Sequence, residues 1–134
     1  MTTRTKKLAK LSLKDAFEAE YTRRQAERRA REEAERRQQE QDLAQAEELH
    51  DLLASEPAFL AKHGLTVDRR RYTVSLDHAD YRIQAYWEGG RASVTSSDKR
   101  FTPPGSAAPR KQESVETVED ALRVMAQYLA DETR

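Results

Sequence analysis

Apolar residues are rare in the first third of this chain and frequent after it. Between Thr22 and Asp42 the only apolar residues are Ala26, Ala30 and Ala34. From Leu13 to Ala54 there is no Gly or Pro, and the residues are mostly Ala, Glu, Arg, Gln, Lys and Leu. These are the strongest helix formers, so one continuous helix is predicted, roughly 60 Å long at about 1.5 Å per residue. Ser12 with Asp15 has the Ser-x-x-Asp spacing of a helix N-cap. Acid–base pairs at four-residue spacing, such as Glu27–Arg31, Glu32–Arg36 and Glu33–Arg37, each add about 0.2–0.5 kcal/mol. The two ends of the helix carry apolar faces. Leu13, Phe17 and Tyr21 form a stripe at four-residue spacing, and Leu43, Ala46, Leu49, Leu52 and Leu53 form a broader face.

Ser55-Glu56-Pro57 ends this helix and starts a short one running to about His63, with Gly64 as its C-terminal cap. The period then changes from helical to alternating. Arg71–Leu76, Tyr81–Trp87 and Arg91–Ser96 read as strands joined by Asp77–Asp80 and Glu88-Gly89-Gly90 turns. Tyr72, Val74, Leu76, Tyr81, Ile83, Ala85, Trp87, Ala92 and Val94 fall on one face of this expected three-stranded antiparallel meander. Residues 97–113 contain Pro103, Pro104, Gly105 and Pro109 and read as an exposed loop. Thr117 with Asp120 caps a last helix whose Val118, Ala121, Leu122, Met125, Ala126 and Leu129 keep a helical period. The expected fold class is α+β. It comprises a basic arm over 1–11, a long charged helix over 12–54, and a small domain over 55–134 of short helix, meander and packing helix.

Charge alternates by block within a net charge of zero. Residues 1–40 carry twelve basic and eight acidic groups, 41–67 one and five, 68–111 nine and five, and 112–134 two and six. This argues against coating nucleic acid by bulk charge and favours association between opposite blocks. The absence of cysteine removes disulfides, thiol catalysis and cysteine zinc sites. No apolar run approaches the roughly 20 residues that span a bilayer, and the basic N-terminus lacks the apolar stretch of a signal peptide. A cytoplasmic location with no membrane contact is expected.

Catalytic chemistry has no foothold in the pattern. The four glycines, Gly64, Gly89, Gly90 and Gly105, cannot form a phosphate-binding loop or a dinucleotide fingerprint. Glu47 and His50 have half of the spacing of a di-iron bundle site, but the chain has no second copy. His63 fits helix capping and His78 fits turn chemistry. No enzyme, cofactor or metal is expected.

Two binding functions remain. The first is a protein-interaction or assembly module, in which Leu13, Phe17, Tyr21, Leu43, Leu49, Leu52 and Leu53 of the long helix engage a partner helix or a second copy as a coiled coil. The second is nucleic-acid binding by the basic outer sheet face and the N-terminal arm. By parity that face presents Arg71, Thr73, Ser75, Arg82, Gln84, Tyr86, Arg91, Ser93 and Thr95 and no acid, with Lys99 and Arg100 beyond it. Arginine forks suit phosphates, the Gln84 amide suits base edges and Tyr86 suits stacking. The helix–three strands–helix order resembles the double-stranded-RNA-binding domain, whose last helix opens on a lysine-rich motif. Here that helix opens with Glu116, Glu119 and Asp120. The meander followed by Thr-Val-Glu-Asp-Ala also resembles the sheet-plus-helix DNA-binding domains of some integrases, on topology alone.

Overall fold

The computed structural model describes residues 12–100 and 108–133. The expected arm over 1–11 and the proline-rich centre of the expected loop lie outside the described residues. Helix α1 runs unbroken over Leu13–Ala54. The Ser12 hydroxyl accepts a hydrogen bond from the Asp15 backbone N–H at 3.1 Å, as its spacing predicts. The chain forms two compact units, Met1–Arg37 and Gln38–Arg134. In the first, α1 is held by its own side chains. Arg23 bridges Glu20 and Glu27, Arg24 reaches Glu20, and Arg36 and Arg37 share Glu33.

The second unit begins inside α1. Its short helix α2, Pro57–Lys62, ends where Gly64 takes a positive φ of 66°. The Leu65 N–H reaches back to the Leu60 carbonyl and the Gly64 N–H to that of Ala61, the paired bonds of a Schellman cap. Five strands follow: β1 Thr66–Arg70, β2 Thr73–Asp77, β3 Tyr81–Glu88, β4 Arg91–Asp98 and β5 Ala108–Val115. They form one antiparallel sheet in the order β1-β2-β3-β4-β5. Helix α3, Val118–Glu132, is capped by the Thr117 hydroxyl accepting from the Asp120 N–H at 3.0 Å.

The expected three-stranded meander is therefore the centre of a five-stranded sheet. Both unexpected strands are edges. β1 contributes only Val67 as an apolar residue, and β5 past its first residue, Ala108, only Pro109 and Val115, so neither alternates clearly. At the two ends of the expected loop over 97–113, Ser97 and Asp98 belong to β4 and residues 108–113 to β5. The first expected strand also begins too early. Arg71 and Tyr72 form the two-residue turn between β1 and β2, with Arg71 at a φ of 53°.

The inward parity of the central strands is as expected. Val74, Leu76, Tyr81, Ile83, Ala85, Trp87, Ala92 and Val94 are all buried. They pack with Val118, Ala121, Val124, Met125, Tyr128 and Leu129 of α3, and with Ala46 and Leu49 of α1. Buried Asp42, one turn before Ala46, ties the helix to the sheet. Its carboxylate accepts from the backbone N–H groups of Gly89 at 2.9 Å and Gly90 at 2.8 Å. Those glycines have φ of 62° and 85°, the positive values that a two-residue type I′ hairpin turn requires. Asp42 also accepts from the Gln38 amide at 3.1 Å.

Candidate functional site

Three surfaces carry the residues singled out by the sequence. The first is the stripe at the start of α1, where Leu13, Phe17 and Tyr21 are 88%, 61% and 53% exposed. Four-residue spacing brings the Phe17 and Tyr21 rings into a stack with centroids 5.7 Å apart. The Tyr21 hydroxyl accepts from the Gln25 amide at 2.6 Å. Beside them, hydrogen bonds from Arg23 and then Arg24 hold the Glu20 carboxyl down to about 2. These charges solvate the sides of the helix and leave the stripe apolar.

The second surface is the far end of α1. The leucines grouped there by sequence do not share one role. Leu49 is fully buried in the core and Leu53 packs against it partly buried. Leu49 is therefore spent inside its own chain and does not face a partner. Leu43 is half-buried. Leu52 remains 42% exposed and Phe59 of α2 43%. Together they flank an apolar groove of about 530 Å³ between the end of α1, α2 and α3. Leu60, Leu65 and Leu76 lie on one side, and Leu122, Met125 and Ala126 of α3 on the other. Its polar lining is Ser55, Glu56, His63 and Thr133. The Phe59 and His63 rings lie 4.5 Å apart. The sequence held a signal for this groove. The apolar positions of α3 include Leu122 and Ala126, one shoulder wider than the sheet covers.

The third surface is the outer sheet face. Thr73 opposes Tyr86, Ser75 opposes Gln84, Gln84 opposes Thr95 and Tyr86 opposes Ser93 across the ladders, so these residues share a face as expected. That face is not free of acid. Asp77 opposes Arg82 and Glu88 opposes Arg91. Arg82 bonds the Asp77 carboxylate at 3.4 Å, and the Lys99 ammonium bonds it at 2.5 Å and the His78 carbonyl at 2.7 Å. Burial pushes the Asp77 carboxyl up, but its bonds from Lys99 and Arg82 outweigh that and hold it below the usual carboxylate value. Arg91 faces Glu116 at 3.9 Å. Arg100 bonds Asp98 at 2.9 Å and Glu132 at 3.3 Å. Arg71 lies outside the face, in the turn, with its guanidinium 5.8 Å from the Tyr72 ring. Gln84 donates its amide to Ser75 at 3.0 Å. Tyr86, between Thr73 and Ser93, is 43% exposed.

The histidines are dispersed. Glu47 lies 3.8 Å from Arg69 and His50 lies 3.3 Å from Asp51. His78 stacks on Tyr81 at 4.4 Å and accepts from the Asp80 N–H at 3.0 Å. Among the described residues, no three His, Asp or Glu side chains converge as metal ligands. No helix among them is long and apolar enough to cross a membrane. Comparison with protein-family models, curated proteins and solved structures returns no match to this chain.

Proposed function

We propose that this chain is a non-catalytic protein-interaction module whose docking surface is the groove between the end of α1, α2 and α3. The observation that carries this reading is the pair of large side chains at its mouth, Leu52 and Phe59, each more than 40% exposed beside an apolar lining. A contiguous apolar surface of this kind marks an interaction site. Its shape, a trough walled by helices, suits the apolar side of an amphipathic helix. The two hydroxyls of its lining, Ser55 and Thr133, donate to the Leu52 and Leu129 carbonyls at 2.6 and 2.8 Å, whereas a nucleophile would donate to a base.

The competing nucleic-acid reading loses support from the outer sheet face. A cation that already neutralises a neighbouring carboxylate displaces fewer counterions from a phosphate backbone, and Arg82, Lys99, Arg91 and Arg100 all have acidic neighbours.

A photo-crosslinking residue at position 59 of the full chain tests the proposal. It should trap a protein at that site, and Leu52→Glu should abolish the adduct without unfolding the chain. An empty trap in the cell of origin refutes it. Retention on heparin that falls steeply with salt, and is lost in an Arg71, Arg82, Arg91 alanine variant, would favour nucleic acid instead.

A further inference from the structure

The groove and the stripe are the two places where the described chain leaves clustered large apolar side chains in water. They match in form. Helices that dock into apolar grooves are read through anchors recurring at three- and four-residue intervals, and Leu13, Phe17 and Tyr21 supply three anchors at intervals of four. They also match in charge. Residues 1–24 contain seven basic and three acidic groups. Residues 41–67, which supply one wall of the groove and α2, contain one basic and five acidic groups, of which Asp42 is buried against the Gly89-Gly90 turn and Glu47 lies beside Arg69. Glu48, Asp51 and Glu56, near Leu52 in sequence, are exposed, and Glu56 lines the groove.

We infer that the groove is occupied by the Leu13–Phe17–Tyr21 stripe of a second copy of this chain. The inference rests on the groove being a docking surface and names its occupant. The contact joins two different surfaces, so it either closes by reciprocal exchange between two copies or runs on into an open assembly. Pairing of like stripes would instead bring together the basic residues 4, 6, 7 and 10 that precede each stripe in sequence, and pairing of like grooves the Glu56 of each lining, both opposed by Coulomb repulsion.

Sedimentation velocity of the full chain over a range of micromolar concentrations tests this with two variants. The stripe variant is Phe17→Glu with Tyr21→Glu, and the groove variant is Phe59→Glu. All three positions are exposed, so folding should survive, and the fluorescence of buried Trp87 checks that it does. The wild type should associate with rising concentration. Each variant alone should remain monomeric. An equimolar mixture of the two should associate again, because one intact stripe then meets one intact groove. A wild type that stays monomeric overturns the inference. So does association of the groove variant alone, which means stripe pairs with stripe, or of the stripe variant alone, which means groove pairs with groove. A mixture that fails to associate also overturns it. The crosslinker at position 59 separates the two layers of the argument. A monomeric wild type that traps a different protein there removes the second copy and keeps the docking surface. A monomeric wild type that traps nothing removes both.

Discussion

Replacing Asp42 should damage this fold more than replacing any other charged residue of α1. Its carboxylate is buried and accepts two backbone N–H groups from the Gly89-Gly90 turn, at 2.9 and 2.8 Å. Hydrogen bonds to a charged acceptor are worth about 1.5–3 kcal/mol each. Gly89 is exposed and Gly90 half-exposed, so water recovers part of that when the carboxylate is removed. Asp42→Ala should therefore cost about 2–3 kcal/mol. Asp42→Asn keeps one acceptor and turns an amide group toward the second N–H, and should cost about half as much. In a domain the size of the second unit, each kcal/mol moves Tm by roughly 4–8 °C, so Asp42→Ala should melt about 8–24 °C lower by that scaling. Trp87 is the only tryptophan and is 1% exposed. Its fluorescence therefore reports unfolding of the second unit without the signal of the helical first unit. Hydrogen exchange should show faster exchange at Gly89 and Gly90 in the variant. A denaturation midpoint within about 0.5 kcal/mol of wild type, the range of a neutral surface change, with unchanged exchange at both glycines would refute the latch.

Three further outcomes are expected. Leu49→Glu places a charge in the core and should unfold the second unit, a loss of about 4 kcal/mol or more, whereas Leu52→Glu on the exposed neighbour should leave the Trp87 transition within about 0.5 kcal/mol. Asp77→Asn should cost about 1 kcal/mol at neutral pH, discounted for its partial exposure. Because the Asp77 carboxyl is held below its ordinary value of 3.8, its contribution is full above that value and is lost as pH falls from there through the depressed value of the folded state, so wild type and variant should converge in denaturant titrations as the solution is acidified below the ordinary carboxylate range. Trp87→Phe should cost only about 1–2 kcal/mol in chemical denaturation, against about 3–5 for Trp87→Ala, since the buried indole N–H has no acceptor and its removal relieves an unpaired donor.

The elements legible in the sequence were those whose burial imposes a period. Val74, Ile83, Ala85, Trp87 and Val94 lie on strands β2, β3 and β4, each with a partner on both sides, and their alternation follows from one buried face. β1 and β5 have one partner each, and their sequences, Thr-Val-Asp-Arg-Arg and Ala-Pro-Arg-Lys-Gln-Glu-Ser-Val, carry charge where central strands carry valine. The turn at Arg71-Tyr72 was hidden for another reason. A positive φ usually announces itself as glycine or asparagine, and here an arginine adopts it. The acid on the outer sheet face is hidden because Asp77, in a sequence with turn character, is the last residue of β2. The apolar positions around Leu49 were legible as a face, but a helical period states only that something covers the face. Whether the cover is the chain's own sheet or a partner is decided by tertiary packing, which here divides Leu49 from Leu52 by a single helical turn.

The same edges bear on how the chain can associate. An exposed strand edge is the commonest route to unintended pairing, and proteins block it with short strands, charges and proline. β1 is five residues long and carries Asp68, Arg69 and Arg70, while β5 carries Pro109, Arg110 and Lys111. At β5 the register slips beside Ser96 and Ser97, and Arg110 and Lys111 engage Glu132 and Asp131 of α3. The register shift interrupts the ladder and the two ion pairs tie the edge strand to α3. Both edges are thus guarded, and the cations of the outer sheet face are matched by neighbouring acids. No such guard stands at Leu13, Phe17 and Tyr21 or at Leu52 and Phe59. An exposed stacked aromatic pair on a helix that its own charges suffice to hold contributes little to that helix's stability, about the 0.2–0.5 kcal/mol of any such pair. The proposed contact with a second copy would give that pair a role the helix itself does not. The apolar groove of the second unit, with Glu56 in its lining, is the surface we propose for that contact.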